Sequence, residues 1–229
     1  MPTGHRTSRP TAHLPVRDLA GEIVARLREC PRLIVEAPTG SGKSTQVPQI
    51  VLDAGLTGGR QIVVLQPRRL AARMLARRVA WERGGDPGGE VGYQVRFDNR
   101  SGPATRIKYE TEGVVLRQML SDRELRSVGA LVFDEFHERH VDGDVMLPLA
   151  LELQRTTRPE LLVIVMSATL DTARLRARLE PCGVVRSEGR LYPVTVEYLD
   201  RPARGGKTPV WELATAGCER LLERSTHGH

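Results

Sequence analysis

The sequence predicts an α/β fold built on a doubly wound, mostly parallel sheet with helices on both faces. Short runs of apolar residues recur along the chain, and segments with apolar residues at helical spacing separate them. Continuous apolar runs are typical of strands that are buried on both faces, as in parallel sheets. Regular alternation of strand and helix favours parallel strands joined by helical crossovers. With 229 residues, the chain is long enough to bury a substantial core and fits one or two domains.

The first half of the chain is predicted to contain three helices and four strands. Leu19, Ile23 and Leu27 lie at helical spacing, which predicts an amphipathic helix before the first strand. Two glycines, Gly84 and Gly85, are predicted to close the third helix. The predicted helices span residues 18–29, 46–52 and 68–83, and the predicted strands span residues 33–35, 61–66, 90–97 and 105–110, with residues 98–103 joining the last two strands.

The second half of the chain continues the alternation. Thr111 is predicted to cap the next helix. Pro148 must lie in the first turn of the following helix or kink it, because proline lacks the N–H group that a helix interior uses. Further predicted helices span residues 144–154, 171–179 and 211–224, predicted strands span residues 130–133, 161–166, 184–185 and 194–199, and a Pro-, Gly- and Arg-rich linker is predicted over residues 201–208.

The composition narrows the class of protein. The chain has 34 Lys and Arg against 28 Asp and Glu, a net charge of +6 that favours a phosphate-rich partner, nucleic acid first. Its three cysteines are widely spaced and include no CxxC pair, which suggests neither a disulfide framework nor a zinc site. The first residues have no apolar signal-peptide core, and no window approaches the ~18 apolar residues that a membrane span needs. We therefore expect a cytoplasmic protein without membrane contact.

A phosphate-binding loop is predicted at residues 37–45, between the first strand and the helix that follows it. Glycines allow the backbone of such a loop to curl around an anion, Lys43 can reach the β- and γ-phosphates, and the Ser44 hydroxyl can ligate Mg²⁺. The strict pattern has glycine where this chain has Ala37, and an ordinary Gly-rich turn is the alternative interpretation. The residues expected to bind a nucleoside triphosphate are Thr39, Gly40, Ser41, Gly42, Lys43, Ser44 and Thr45.

Two acidic residues, Asp134 and Glu135, directly follow the apolar strand at residues 130–133. The carboxyl end of a parallel strand lies at the same edge of the sheet as the phosphate-binding loop. Asp134 can therefore hold Mg²⁺ with Ser44, while Glu135 can orient and deprotonate an attacking water. The alternative is a pair of acids that only ends a strand. His137 and the histidine three residues later have the spacing H-E-x-H rather than H-E-x-x-H, so zinc binding is not expected.

Five stretches occur in the order of motifs I, Ia, Ib, II and III of superfamily 2 DEAH-type RNA helicases, and the chain resembles that family. Phe136 replaces the usual alanine of the DEAH box, and the resulting Asp-Glu-Phe-His resembles the bacterial HrpB-type members. The stretches are residues 37–44, 66–73, 111–113, 134–137 and 167–169, and residues 91–97 and 189–194 are similar to further family stretches.

The resemblance implies a RecA-like P-loop domain that hydrolyses ATP with Mg²⁺ and contacts RNA. It implies that Glu135, Lys43, Asp134 and His137 form the catalytic set, with His137 linking the nucleotide site to motif III or to a second lobe. The same resemblance assigns RNA contact to Thr111 and Gly113, and coupling between hydrolysis and strand movement to Ser167 and Thr169.

Arginines near a helix start support contact with single-stranded RNA. Arg68 and Arg69 lie where the third helix begins, and guanidinium groups beside a helix N-terminus can clamp backbone phosphates without reading the bases. Arg73 and Arg77 continue this face, although a solvated basic face is the alternative for these two. Aromatic residues are few, so we expect RNA to be held mainly by its backbone.

The predicted organisation is a flexible arm at residues 1–15, a RecA-like ATP-binding domain at 16–200, and a linker and helix at 201–229 that lead toward an absent second lobe. Family members build the ATP site between two lobes, and the second lobe supplies arginine fingers. The leading hypothesis is the motor domain of an ATP-dependent RNA helicase, and the alternative is a nucleotide-gated RNA-binding module without turnover. A P-loop kinase or a transporter ATPase is disfavoured, since no lid-like arginine segment or transporter signature is apparent.

Overall fold

A computed structural model of the chain describes residues 14–168, 172–188 and 209–224, together with residues 196 and 198. The chain divides into two compact units, Met1–Arg190 and Leu191–His229. In the first unit the helices are α1 (Ala20–Glu29), α2 (Lys43–Asp53), α3 (Arg69–Glu82), α4 (Glu112–Ser121), α5 (Val141–Thr156) and α6 (Thr172–Leu179). The strands are β1 (Arg32–Glu36), β2 (Gln61–Leu65), β3 (Val91–Val95), β4 (Asp98–Arg100), β5 (Ile107–Glu110), β6 (Val128–Phe133), β7 (Leu162–Ser167) and β8 (Gly183–Arg186).

The eight strands form one sheet in the order β4-β3-β5-β2-β6-β7-β1-β8. Every neighbouring pair is parallel except β3 and β4. Apolar clusters cover both faces of this sheet, because successive strand residues point to opposite sides. In β1, for example, Leu33 and Val35 pack on one face with residues of α1 and α2, while Ile34 packs on the other with residues of α5 and α6. The doubly wound, mostly parallel α/β fold predicted from the sequence is confirmed.

Strand β4 corrects the sequence analysis, which assigned residues 98–103 to a loop. Asp98–Arg100 pairs antiparallel with the end of β3 and forms the edge of the sheet. The tight connection passes through Phe97, whose φ of 68° lies in the left-handed region. The strand was missed because its three residues are polar, and a short edge strand needs no apolar pattern.

The start of α5 is a second correction. The helix begins at Val141 rather than at residue 144, so Pro148 lies in its middle and not in its first turn. The first turn holds Asp142 and Asp144. The apolar spacing that predicts helices could not reveal this turn, because two of its residues are acidic. Their charges instead complement the positive end of the helix dipole.

The second unit contains one described helix, α7 (Val210–Arg224), where the sequence predicted residues 211–224. The predicted strand at 194–199 and the predicted linker at 201–208 lie outside the described residues, apart from positions 196 and 198, and so does most of the predicted arm at 1–15. Among the helices of the described ranges, none combines the length and apolar character required to span a membrane.

Candidate nucleotide and nucleic-acid site

The described sequence-predicted site residues lie at or after the ends of five parallel strands, which share one edge of the sheet. In register, Glu36 at the end of β1 lies beside Ser167, and Leu65 at the end of β2 lies between Phe133 and Glu110. The chain continues from these ends into the phosphate-binding loop, into Asp134 and into Thr111. The carboxyl edge of an open α/β sheet is the usual location of its ligand site.

The phosphate-binding loop has the backbone conformation that its glycines permit. Gly40 and Gly42 have φ values of 83° and 90°, a region that side-chain-bearing residues rarely occupy. A Cβ atom on Gly42 would also come within 2.8 Å of the Leu14 side chain, which would have to shift to admit a larger residue. The loop leads into the first turn of α2, where the N–H groups of Lys43 and Ser44 have no acceptor within the helix. These N–H groups and the positive end of the helix dipole make this end of α2 suited to an anion.

The other predicted loop residues border the same turn. Thr39 and Gly40 are exposed, while Ser41 is buried and its Oγ has no hydrogen-bond partner among the described atoms. Thr45 Oγ1 donates a hydrogen bond of 3.1 Å to the Gly42 carbonyl, which closes the loop onto the start of α2.

Lys43 and Glu135 form an ion pair across the site, with 3.0 Å between Lys43 Nζ and Glu135 Oε1. The Lys43 side chain is almost fully buried, whereas a quarter of the Glu135 side chain is exposed. Glu135 has a φ of 50°, a conformation that a non-glycine residue adopts only where its surroundings enforce it. His137 Nδ1 lies 3.5 Å from the other carboxylate oxygen of Glu135. Glu135 therefore stands between the lysine of the loop and the histidine of the Asp-Glu-Phe-His segment.

Asp134 is buried beside the start of α2. Burial and the charge of Glu135 raise the pKa of its carboxyl to about 6, against hydrogen bonds from Ser44 and Gln66 and the charge of Lys43. Gln66, the residue after β2, donates a hydrogen bond from Nε2 to Asp134 Oδ2. A desolvated carboxylate in contact with a serine hydroxyl is a set of hard oxygen donors, and Mg²⁺ binds such donors. The residues present fit a magnesium site formed by Ser44 and Asp134.

A cavity of about 600 Å³ lies between α3, α4 and the β3–β4 hairpin. Three of the four residues predicted to contact RNA line it: Arg69, Thr111 and Gly113. Thr111 is the residue before α4, as predicted, but its side chain makes no capping hydrogen bond. Its hydroxyl is therefore available to a ligand in the cavity, next to the N-terminal end of a ten-residue helix.

The fourth predicted contact, Arg68, does not line the cavity. Its guanidinium forms an ion pair of 2.7 Å with Glu138, three residues beyond Glu135. Arg73 is likewise engaged, because its guanidinium lies 2.8 Å from Asp98 of β4. Of the basic residues at the start of α3, Arg69 is thus the one that the structure places against the cavity.

Sequence reasoning missed two residues at the rim of the cavity, Arg96 and Phe97. The Phe97 side chain is 91% exposed, which is unusual for a large apolar residue. The Arg96 guanidinium lies 4.8 Å from the centre of the Phe97 ring, within the range of a cation–π contact. The small number of aromatic residues argued against a surface on which bases stack, but that number does not show where in the fold each aromatic residue lies. The signal in the sequence was the aromatic residue directly before the polar Asp98-Asn99-Arg100 segment.

The residues predicted to couple hydrolysis to movement are only partly described. Ser167 is fully buried at the end of β7, and its carbonyl accepts a 3.1 Å hydrogen bond from the N–H of Ala37 in the phosphate-binding loop. Thr169 lies outside the described residues. The short 3₁₀-helix Phe136–Glu138, which carries His137, lies next to β7. The segment with motif II therefore touches the strand that leads into Ser167.

Comparison with known proteins agrees with this arrangement. Residues 17–177 match the family model described as DEAD/DEAH box helicase. The chain is 43% identical over 213 residues to the ATP-dependent RNA helicase HrpB of Escherichia coli, which covers 93% of this chain and 26% of the relative. It is 37% identical over 222 residues to the human probable ATP-dependent RNA helicase DHX34, which covers 97% of this chain and 19% of the relative.

A solved structure is similar in both sequence and fold. The crystal structure of the Escherichia coli DEAH/RHA helicase HrpB superposes with a TM-score of 0.81 at 42% identity, which covers 91% of this chain and 27% of that chain. The chain spans about a quarter, or less, of the length of these relatives.

Proposed function

Because this chain belongs to the DEAD/DEAH box helicase family, we propose that it is the ATP-binding, RNA-contacting motor domain of an ATP-dependent RNA helicase. The observation that carries the proposal is the meeting of Lys43, the Ser44–Asp134 pair and Glu135 at one edge of the sheet. Each supplies a different requirement of phosphoryl transfer to water: charge on the phosphates, a metal site and a base.

In the proposed reaction, the N–H groups of the phosphate-binding loop and the Lys43 ammonium hold the β- and γ-phosphates. Ser44 and Asp134 would hold Mg²⁺, which would neutralise phosphate charge. Glu135 orients a water for in-line attack and accepts its proton. His137 lies 3.5 Å from Glu135 and near β7, which supports a role in linking the site to motif III.

The nucleotide must displace the ion pair between Lys43 and Glu135. While the two side chains lie 3.0 Å apart, the ammonium is held by the carboxylate. A triphosphate offers Lys43 a more highly charged partner and frees Glu135 to act on water.

RNA is proposed to lie in the cavity between α3, α4 and the β3–β4 hairpin. Arg69 and the N-terminal end of α4 at Thr111 and Gly113 supply contacts to backbone phosphates. Phe97, exposed at the rim, offers a face on which one base can stack, a contact worth about 1–3 kcal/mol in other single-strand binding proteins. This combination favours recognition of a single strand with little dependence on base sequence.

A second RecA-like lobe is proposed to complete the machinery. In related phosphoryl-transfer enzymes an arginine finger contributes ~10³–10⁵ in rate. We therefore expect the 229-residue chain alone to bind nucleotide, to hydrolyse it slowly and to leave duplexes unseparated. Robust strand separation by the purified chain would contradict this.

The alternative is a nucleotide-gated RNA-binding module without turnover, and the two differ in one measurement. Phosphate release should be measured with and without single-stranded RNA, in the presence of the second lobe, for the unaltered chain and for Glu135→Gln. The proposal predicts that RNA stimulates release and that Glu135→Gln abolishes the stimulated release. Release that RNA does not change, or that survives the substitution, would favour the module.

A further inference from the structure

The helix that carries Ser44 contains a proline at a position that removes one of its own hydrogen bonds. In α2, the carbonyl of Ser44 would accept a hydrogen bond from the N–H of the residue four positions later. That residue is Pro48, which has no N–H and lies buried in the helix interior. The Ser44 carbonyl thus needs a partner from elsewhere in the molecule, since an unpaired carbonyl in the interior is costly.

Tyr109 supplies that partner from the sheet. Its hydroxyl, on β5, donates a hydrogen bond of 2.9 Å to the carbonyl oxygen of Ser44. The Tyr109 side chain is fully buried, and Ser44 is half-buried. The strand β5 is parallel to β2 and runs beneath the start of α2, which brings the two residues together although 65 positions separate them.

We infer that Tyr109 is a positioning residue for the magnesium site, which acts by holding the Ser44 carbonyl that Pro48 leaves without a donor. Tyr109 touches neither nucleotide nor metal in this role. It fixes the backbone of the first turn of α2, and so the place from which the Ser44 hydroxyl faces Asp134. The inference rests on the proposed function, because it gives Ser44 and Asp134 their part in binding Mg²⁺ and nucleotide.

Removal and restoration of the hydrogen bond test the inference. Tyr109→Phe keeps the buried ring and deletes only the donor, and Pro48→Ala returns an N–H four residues after Ser44. The affinity for a non-hydrolysable ATP analogue should be measured for both single variants and the double variant, in Mg²⁺ and in EDTA. In Mg²⁺, Tyr109→Phe should weaken binding about five- to tenfold, which corresponds to ~1–1.4 kcal/mol, because the Ser44 hydroxyl is then held less firmly toward the metal, and adding Pro48→Ala should restore binding to within about twofold. In EDTA, the loss caused by Tyr109→Phe should shrink to about twofold or less.

The neighbouring strand provides a matched control. Tyr93 lies beside Tyr109 in the register of β3 and β5, and its hydroxyl donates to Asp98, away from α2. Tyr93→Phe should leave nucleotide affinity unchanged. If Tyr109 were needed only for packing, Tyr109→Phe would lose no nucleotide affinity. If Tyr109→Phe lost affinity for a reason other than the missing hydrogen bond to Ser44, Pro48→Ala would not restore that affinity.

Either result would overturn the inference. A double variant that fails to fold would also overturn it, because returning an N–H donor to the Ser44 carbonyl should restore the stability of the folded protein. Lys43→Ala separates this failure from failure of the proposed function. If Lys43→Ala abolishes binding of the ATP analogue while Tyr109→Phe does not alter it, only the inference about Tyr109 is contradicted. If Lys43→Ala binds as tightly as the unaltered chain, the nucleotide site itself is wrongly assigned.

Discussion

At the scale of single residues, the two partners of the Lys43–Glu135 ion pair differ in exposure. The lysine side chain is 3% exposed and the glutamate side chain is 25% exposed. A largely buried ammonium needs a counter-charge, because leaving one member of a buried pair alone is strongly destabilising. Glu135 meets this need in the structure, and phosphate would meet it in the nucleotide complex. We therefore propose that nucleotide binding exchanges the Glu135 partner of Lys43 for phosphate.

Glu135→Gln should tighten nucleotide binding while it abolishes hydrolysis. A neutral amide holds the ammonium less strongly than a carboxylate does, so less free energy is needed to release Lys43. We expect the dissociation constant of the ATP analogue to fall about two- to tenfold, which corresponds to ~0.4–1.4 kcal/mol. Calorimetric titration would measure it.

The control for this substitution is Glu152→Gln, which removes a carboxylate that pairs with Arg155 on the exposed surface of α5. It should change neither affinity nor turnover. Weaker nucleotide binding by Glu135→Gln would show that the ion pair does not compete with the phosphates.

At the scale of helices and strands, Glu82 joins α3 to the helix that carries the phosphate-binding loop. Its carboxylate accepts hydrogen bonds of 2.9 Å from Gln46, 2.7 Å from Gln49 and 2.7 Å from Arg78. Burial alone would raise the pKa of Glu82, but the three hydrogen bonds and the charge of Arg78 outweigh it and lower the pKa below its ordinary value of 4.5. The charged form is thus the one that the folded protein stabilises.

The contribution of Glu82 to stability should disappear in acid. Because its folded pKa is depressed, its stabilising effect is fully present above pH 4.5 and is lost as the pH falls through the folded pKa. Glu82→Gln should therefore lower the free energy of unfolding by about 1.5–3 kcal/mol at neutral pH and by progressively less below pH 4.5. Urea unfolding at several pH values would measure this.

The matched control is Glu22→Gln on α1, where Arg26 lies 4.0 Å away at the surface. This substitution should change the free energy of unfolding by less than about 1 kcal/mol. A Glu82→Gln effect that stays constant from neutral pH into acid would contradict the account of the carboxylate.

The elements show which parts of the fold the sequence could predict. Buried strands such as β6 and β7 were predictable because an unbroken apolar run, in a chain where strands and helices alternate, is typical of a parallel strand covered on both faces. The polar edge strand β4 and the acidic first turn of α5 were not, since neither has an apolar pattern. Pairs distant in sequence were equally hidden, and the hydrogen bond from Tyr109 to Ser44 is the clearest case.

The candidate site likewise has features that the sequence could predict and features that it could not. The meeting of Lys43 with Asp134 and Glu135 could be predicted, because parallel strands end at a common edge. The engagement of Arg68 by Glu138 could not, because both residues are charged and only the fold decides which partner each one takes.

At the scale of the whole molecule, a net charge of +6 favours association with a polyanion. Charge alone does not locate the contact, and many of the arginines are engaged in ion pairs. The cavity beside α3 and α4 gives the charge a location, with exposed Arg69 on its wall. Binding there through backbone phosphates should release counterions from the RNA.

RNA affinity should therefore fall steeply with salt, with a slope of about −0.7 per contacted phosphate in a plot of log affinity against log salt. Arg69→Ala should weaken binding to all sequences alike and reduce the slope by about one phosphate contact. Fluorescence anisotropy with a labelled single strand at several salt concentrations would measure both quantities. Arg155→Ala, which removes an exposed arginine of α5 outside the cavity, is the control. A flat salt dependence would contradict recognition of the backbone.

The most direct test of the central claim is the affinity of the 229-residue chain for the magnesium complex of an ATP analogue, with and without Lys43→Ala. If Lys43, Ser44, Asp134 and Glu135 serve one bound triphosphate, loss of the ammonium should weaken binding by about a hundredfold or more, or ~2.7 kcal/mol. Arg155→Ala should bind as the unaltered chain does. An unchanged dissociation constant for Lys43→Ala would contradict the claim that these residues form a nucleotide site.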